Sequence, residues 1–147
     1  MIDDLLRLAL DLTDRDKGRP KQASMRRAAS TAYYALFHAL LEVFADQAVG
    51  SGAPWDVYEQ VYRFPDHASL ATRLHLVNDM RVKSIASTFA RLHQERLKAD
   101  YDPKPFPLGK IEILESISLA REAVVAVRSL NTTQRRLIVA GLLSKRR

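Results

Sequence analysis

Ile85, Phe89 and Leu92 step by four and three residues along a helical stretch, and the next step of four lands on Arg96, where the stripe calls for a hydrophobic residue. A guanidinium does not lose its proton, so a buried one needs a carboxylate or a set of acceptors to meet it. Asp100, at i+4, is the nearest candidate in sequence; Asp102 and Glu95 are less well placed. Two readings follow. Arg96 and Asp100 form an internal ion pair that ties the helix to the proline-rich "DPKPFP" behind it, or the arginine stands in a groove and handles an anionic ligand.

A second set of chemistry-bearing residues lies on an earlier helix. His38 follows Tyr34 by four residues, and Ser30 and Arg27 continue the same face, so a polar groove containing one imidazole results if that face meets Arg96. Tyr33 and Tyr34 point about 100° apart, which puts one in the core and leaves the other at an edge, available to stack on a base. His67, His75 and His93 have no partner at metal-ligand spacing, and there is no H-E-x-x-H pattern. Glycine-rich dinucleotide and phosphate loops and the G-x-S-x-G elbow are absent. The expectation is a site without metal or cofactor.

The elements that must position these residues are helices. The spacing predicts a helix over residues 3–16 with Leu5, Leu8, Ala9 and Leu12 on one face, broken by "KGRP". A long helix over 21–49 repeats Met25, Ala28, Ala32, Ala35 and Ala39, a stripe small enough for close helix approach. "GSGAP" is a loop, followed by short helical pieces in "PWDVYEQVYRF" and "FPDHASLATRL", the second N-capped by Asp66. Residues 79–100 and 108–130 form two further helices. The second carries Ile111, Leu114, Ile117, Ala120, Val124 and Val127 as its stripe. Residues 131–147 form a separate tail, capped by Asn131 or Thr132 and helical through Leu143.

The chain of 147 residues has a net charge of +6, unevenly placed. Arg135, Arg136, Lys145, Arg146 and Arg147 sit in the tail without an acid, and Arg15, Lys17, Arg19, Lys21, Arg26 and Arg27 form a second cluster; the remainder is net acidic. Such patches attract polyanions or simply keep a protein soluble. The tail's Leu137, Ile138, Val139, Leu142 and Leu143 spread round a helix, so it docks on the bundle, on a second subunit, or on an anionic membrane surface. There is no cysteine, which leaves the redox compartment unread; there is no basic export leader and no apolar run of spanning length, so the expected location is cytoplasmic.

The segment "RRAASTAYYALFHALLEVF", the later "DHASL" and then "ERLKADYDP" resemble the HEPN family of small helical domains. Its bacterial members pair an S-x-A-Y-Y-A-x-F helix with an R-x-x-A-D-Y helix, and the likeness covers residues 1–130. The resemblance implies an all-α, up-and-down bundle of four to five helices, with the tail as an additional C-terminal helix. It also implies a homodimer across the arginine-bearing helix, and a role in RNA cleavage or binding, including as the toxin-like half of a pair with an antitoxin-like protein. Carried onto this chain, Arg96, Asp100, Tyr101 and His38 are the candidate catalytic residues and Tyr34, Arg27 and Lys98 the candidate substrate-binding ones.

The family's nuclease signature separates the arginine from a histidine by four to six residues, and here those positions hold Tyr101, Asp102 and Pro103. An imidazole suits removal of a 2′-hydroxyl proton, whereas a tyrosine, with a free pKa of about 10, is a poor substitute. Binding without cleavage, or a metal-independent nuclease weakened by this loss, is therefore the expected activity. A dimerisation or partner-binding scaffold is the alternative, with a small-nucleotide binding domain behind it.

Overall fold

The computed structural model describes residues 1–144. Seven helices and no strand occur among them: α1 (Ile2–Thr13), α2 (Gln22–Ala48), α3 (Trp55–Tyr62), α4 (His67–His75), α5 (Met80–Tyr101), α6 (Lys110–Arg128) and α7 (Thr132–Leu143). The fold is an all-α helical bundle, in keeping with the helical periodicity of the sequence. None of these helices is long and apolar enough to cross a membrane. Lys145, Arg146 and Arg147, expected at the basic end of the tail, lie outside the described residues.

α2 is the central element and touches α1, α3, α5, α6 and α7. Met25, Ala28, Ala32, Ala35 and Ala39 are all buried, and their small volume lets neighbouring helices approach on several sides. The helix ends at Gly50, whose φ of +86° is strained for any residue with a Cβ and whose N–H donates to the Ala45 carbonyl at 3.3 Å. α5 starts at Asp79, where Oδ1 accepts from the Val82 N–H at 3.0 Å. The other oxygen of that carboxylate accepts from Gln134 of α7 at 3.2 Å, so one aspartate caps one helix and anchors another.

Two apolar stripes are rotated from their expected positions. In α1, Leu8 is exposed, and Ile2 and Leu6 join Ala9 and Leu12 in the core. In α6, Ile111 is 81% exposed and Leu114 also faces outward, while Ile113 and Ser116 are fully buried beside Ile117, Ala120, Val124 and Val127. Buried Ser116 is satisfied there: its hydroxyl reaches the Glu95 carboxylate of α5 at 2.8 Å, so a residue that reads as polar surface sits inside.

α7 packs on α2 and α4 through buried Ile138 and Leu142, while Leu137 and Leu143 stay exposed. Its N-terminus carries a reciprocal cap, Asn131 accepting from the Gln134 N–H at 2.8 Å and Gln134 from the Asn131 N–H at 3.0 Å. Arg73 of α4 donates to the carbonyls of Leu142 and Ser144 and so closes the other end.

Candidate functional site

The face of α2 that bears Ser30 and Tyr34 meets the last turns of α5. Arg96 is 8% exposed, and its Nε donates to Asp100 Oδ2 at 3.0 Å. Its Nη2 donates to the Tyr34 hydroxyl at 2.8 Å and, more weakly, to Tyr101 at 3.4 Å. The guanidinium carbon lies 5.4, 5.3 and 5.4 Å from the ring centres of Tyr33, Tyr34 and Tyr101, within cation–π range of all three. Ser30 donates to the same Asp100 oxygen at 3.1 Å. Burial works against the Arg96 charge, but Tyr34, the Asp100 hydrogen bond, Tyr101 and Tyr33 outweigh it and raise its pKa. Nη1 makes no hydrogen bond among the described residues.

Tyr33 takes the core position of the tyrosine pair. It is fully buried, packs on Phe37, Phe89 and His93, and its hydroxyl lies 2.5 Å from His67 Nδ1. Burial raises the phenol's pKa, so Tyr33 stays protonated beside His67. His67 stacks on Phe37 at 4.0 Å, and its pKa is lowered by burial and then by Arg96. His93 is depressed by the same two causes, and its Nδ1 is buried without a partner. The imidazoles near Arg96 are thus held neutral.

The candidate residues divide. Arg96, Asp100, Tyr101 and Tyr34 come together as one hydrogen-bonded group. His38 does not hydrogen-bond to that group: its Nδ1 meets the Tyr62 hydroxyl of α3 at 2.7 Å, and burial lowers its pKa. Arg27 and Lys98 are exposed, and their side chains make no hydrogen bond or ion pair among the described residues.

One organising residue was not evident from sequence. Arg26 Nη1 donates to the carbonyls of Lys98, Ala99 and Asp102 at 3.0, 2.9 and 2.9 Å, and Nη2 to that of Lys104, while its guanidinium lies over the Phe106 ring. It holds the C-terminal turn of α5, and with it Asp100 and Tyr101, in place. His67 and His93 were visible as residues; only the packing of α4 and α5 on α2 reveals them as neighbours of Tyr33.

The group presents one immobilised cation with a spare donor, two phenols and a carboxylate already in use. That suits recognition of an oxyanion. Among the described residues, no group of three or more histidine, aspartate or glutamate side chains is placed to hold a metal ion. No family model, curated protein or solved structure matches the chain.

Proposed function

We propose that the protein binds RNA, with Arg96 taking a backbone phosphate and exposed Tyr101, Arg27 and Lys98 extending the contact along α2 and α5. The observation that carries this reading is the state of Arg96: its Nε and Nη2 are fixed by Asp100 and Tyr34, and Nη1 is left uncommitted beside a tyrosine that is 68% exposed. A guanidinium fixed in this way loses little freedom on meeting a phosphate. The two exposed basic residues on the same helices add charge of the right sign, and an accessible ring is a platform for an unpaired base. The resemblance to HEPN domains supports the same ligand class.

In this reading the site binds rather than cuts. The group's carboxylate, Asp100, is tied to Arg96 and Ser30, and among the described residues no imidazole joins the group through a hydrogen bond. The test is fluorescence anisotropy with a labelled single-stranded RNA over a range of salt concentrations. Arg96→Ala weakens binding and makes the salt slope shallower by about 0.7, the share of one phosphate contact on a single strand. Arg96→Lys recovers part of the affinity, and Lys98→Ala and Arg27→Ala each reduce it. Unchanged affinity in Arg96→Ala that melts far below the parent assigns the arginine to structure and overturns the proposal. Chelator-resistant cleavage that disappears in His38→Ala overturns the restriction to binding.

A further inference from the structure

An open groove of about 930 Å³ runs between the second half of α2 and α3, and neither Arg96, Asp100 nor Tyr101 lines it. α3 buries none of its eight residues. Ordering a short helix that covers Tyr58, Val61 and Tyr62 only in part is costly, and this one is also held by two phenol hydrogen bonds, Tyr58 to Asp46 and Tyr62 to His38, both at 2.7 Å. The consequence is a standing wall of rings. Trp55, Tyr58 and Tyr62 follow one another up the helix with centres 6.1 and 6.0 Å apart, and Phe37 and Leu41 of α2 line the same space.

The charge of this groove is opposite to that of the chain. Glu42, Asp46, Glu59 and Asp66 line it against one cationic side chain, Arg63, which is already paired with Glu59 at 2.7 Å, and Met1, which carries the α-amino group. Asp46 accepts from Tyr58 and Asp66 caps α4, whereas Glu42 is exposed and makes no hydrogen bond or ion pair among the described residues. Aromatic faces attract cations through the ring quadrupole, and apolar walls favour bulk over a bare ion. The volume falls in the range of small-molecule sites, about 300–1,000 Å³. We propose that this groove binds a small lipophilic organic cation, with the α3 rings and Phe37 holding its apolar body and Glu42 its charge. Burial pushes the Tyr62 hydroxyl up to about 12 and raises Tyr58 further, so both rings stay neutral and supply faces rather than charge.

The chain has one tryptophan, and it lines the groove, so its fluorescence reports on occupancy. The experiment compares tetraphenylphosphonium with tetraphenylborate, ions of nearly the same size and shape and of opposite charge. With a net charge of +6, non-specific attraction favours the borate. The expected result is a saturable, single-site change in Trp55 fluorescence with the phosphonium and at least tenfold weaker binding of the borate. Glu42→Gln, an exposed and nearly isosteric change, then weakens phosphonium binding about fivefold to tenfold, about 1–1.4 kcal/mol, as read by calorimetry. No saturable phosphonium binding, equal or tighter borate binding, or full phosphonium affinity in Glu42→Gln overturns the proposal.

Discussion

Replacing Arg26 by glutamine should loosen the Arg96 group without touching any of its members. Among the described residues, Arg26 is the only side chain that bonds the carbonyls at the end of α5 and just beyond it, taking Lys98, Ala99 and Asp102 with one nitrogen and Lys104 with the other. Each charge-assisted bond has a net worth of about 1.5–3 kcal/mol in isolation, but the four share one half-exposed guanidinium and are not additive. A cation at a helix C-terminus adds about 0.3–1 kcal/mol. A loss of about 2 kcal/mol for the whole clamp is therefore a conservative figure. In a domain of this size that lowers the melting temperature by about 4–8 °C. The local effect is more diagnostic. Amide hydrogen exchange at Asp100, Tyr101 and Asp102, in the turn that Arg26 holds, should accelerate by about 30-fold, while the middle of α5 stays protected. Arg26→Lys carries the charge but not the fork, and should recover only part of that protection. Unchanged exchange in the last turn of α5 in Arg26→Gln would refute the clamp, whatever happened to the melting temperature.

Stability should fall with pH below about 6.5: His38, His67 and His93 all have folded-state pKa values below the unfolded one, so the unfolded chain takes up protons first as pH drops. The contribution is complete above that pH and is lost as pH descends toward each depressed value; urea midpoints at pH 7.5, 6.5 and 5.5 read it, and His67→Gln should flatten the slope. Asp3, Asp16, Asp66 and Asp79 have lowered values and lose their share only below about pH 4, so the two windows separate. Gly141→Ala should fail to deliver the gain of about 1 kcal/mol expected from helix propensity, because the added Cβ comes within 2.9 Å of Cγ2 of buried, stiff Val77. Ile138→Ala should cost about 2–5 kcal/mol in denaturant unfolding, since that side chain is 1% exposed and anchors α7; an unchanged midpoint would mean that α7 does not stabilise the bundle.

What the sequence made legible is what one helix decides by itself. The step from Ile85 through Phe89 and Leu92 to Arg96, and the partner at i+4, are properties of a single α-helix, and the structure has Arg96 buried and bonded to Asp100. The alanine stripe of α2 is legible for the same reason, because periodicity alone puts Ala28, Ala32, Ala35 and Ala39 on the packed side. The misread faces and residues depend on another helix. Ser116 lies on the buried face of α6 with Ile113, Ile117, Ala120, Val124 and Val127, but its partner Glu95 is on α5, which no pattern within residues 108–130 records. Arg26 and Arg27 are adjacent basic residues in one cluster, yet one grips carbonyls more than seventy positions away and the other is exposed. Backbone acceptors have no letter in a sequence, so a clamp on carbonyls is invisible there. His38 illustrates the limit most sharply. Its spacing from Tyr34 puts both on one side of α2, but a helix face is wide enough to border two neighbours, and α3 supplies Tyr62 where α5 supplies Arg96. The histidine therefore belongs to the wall of the α2–α3 groove, and the distance between an imidazole that serves Arg96 and one that does not is a single turn of the same helix.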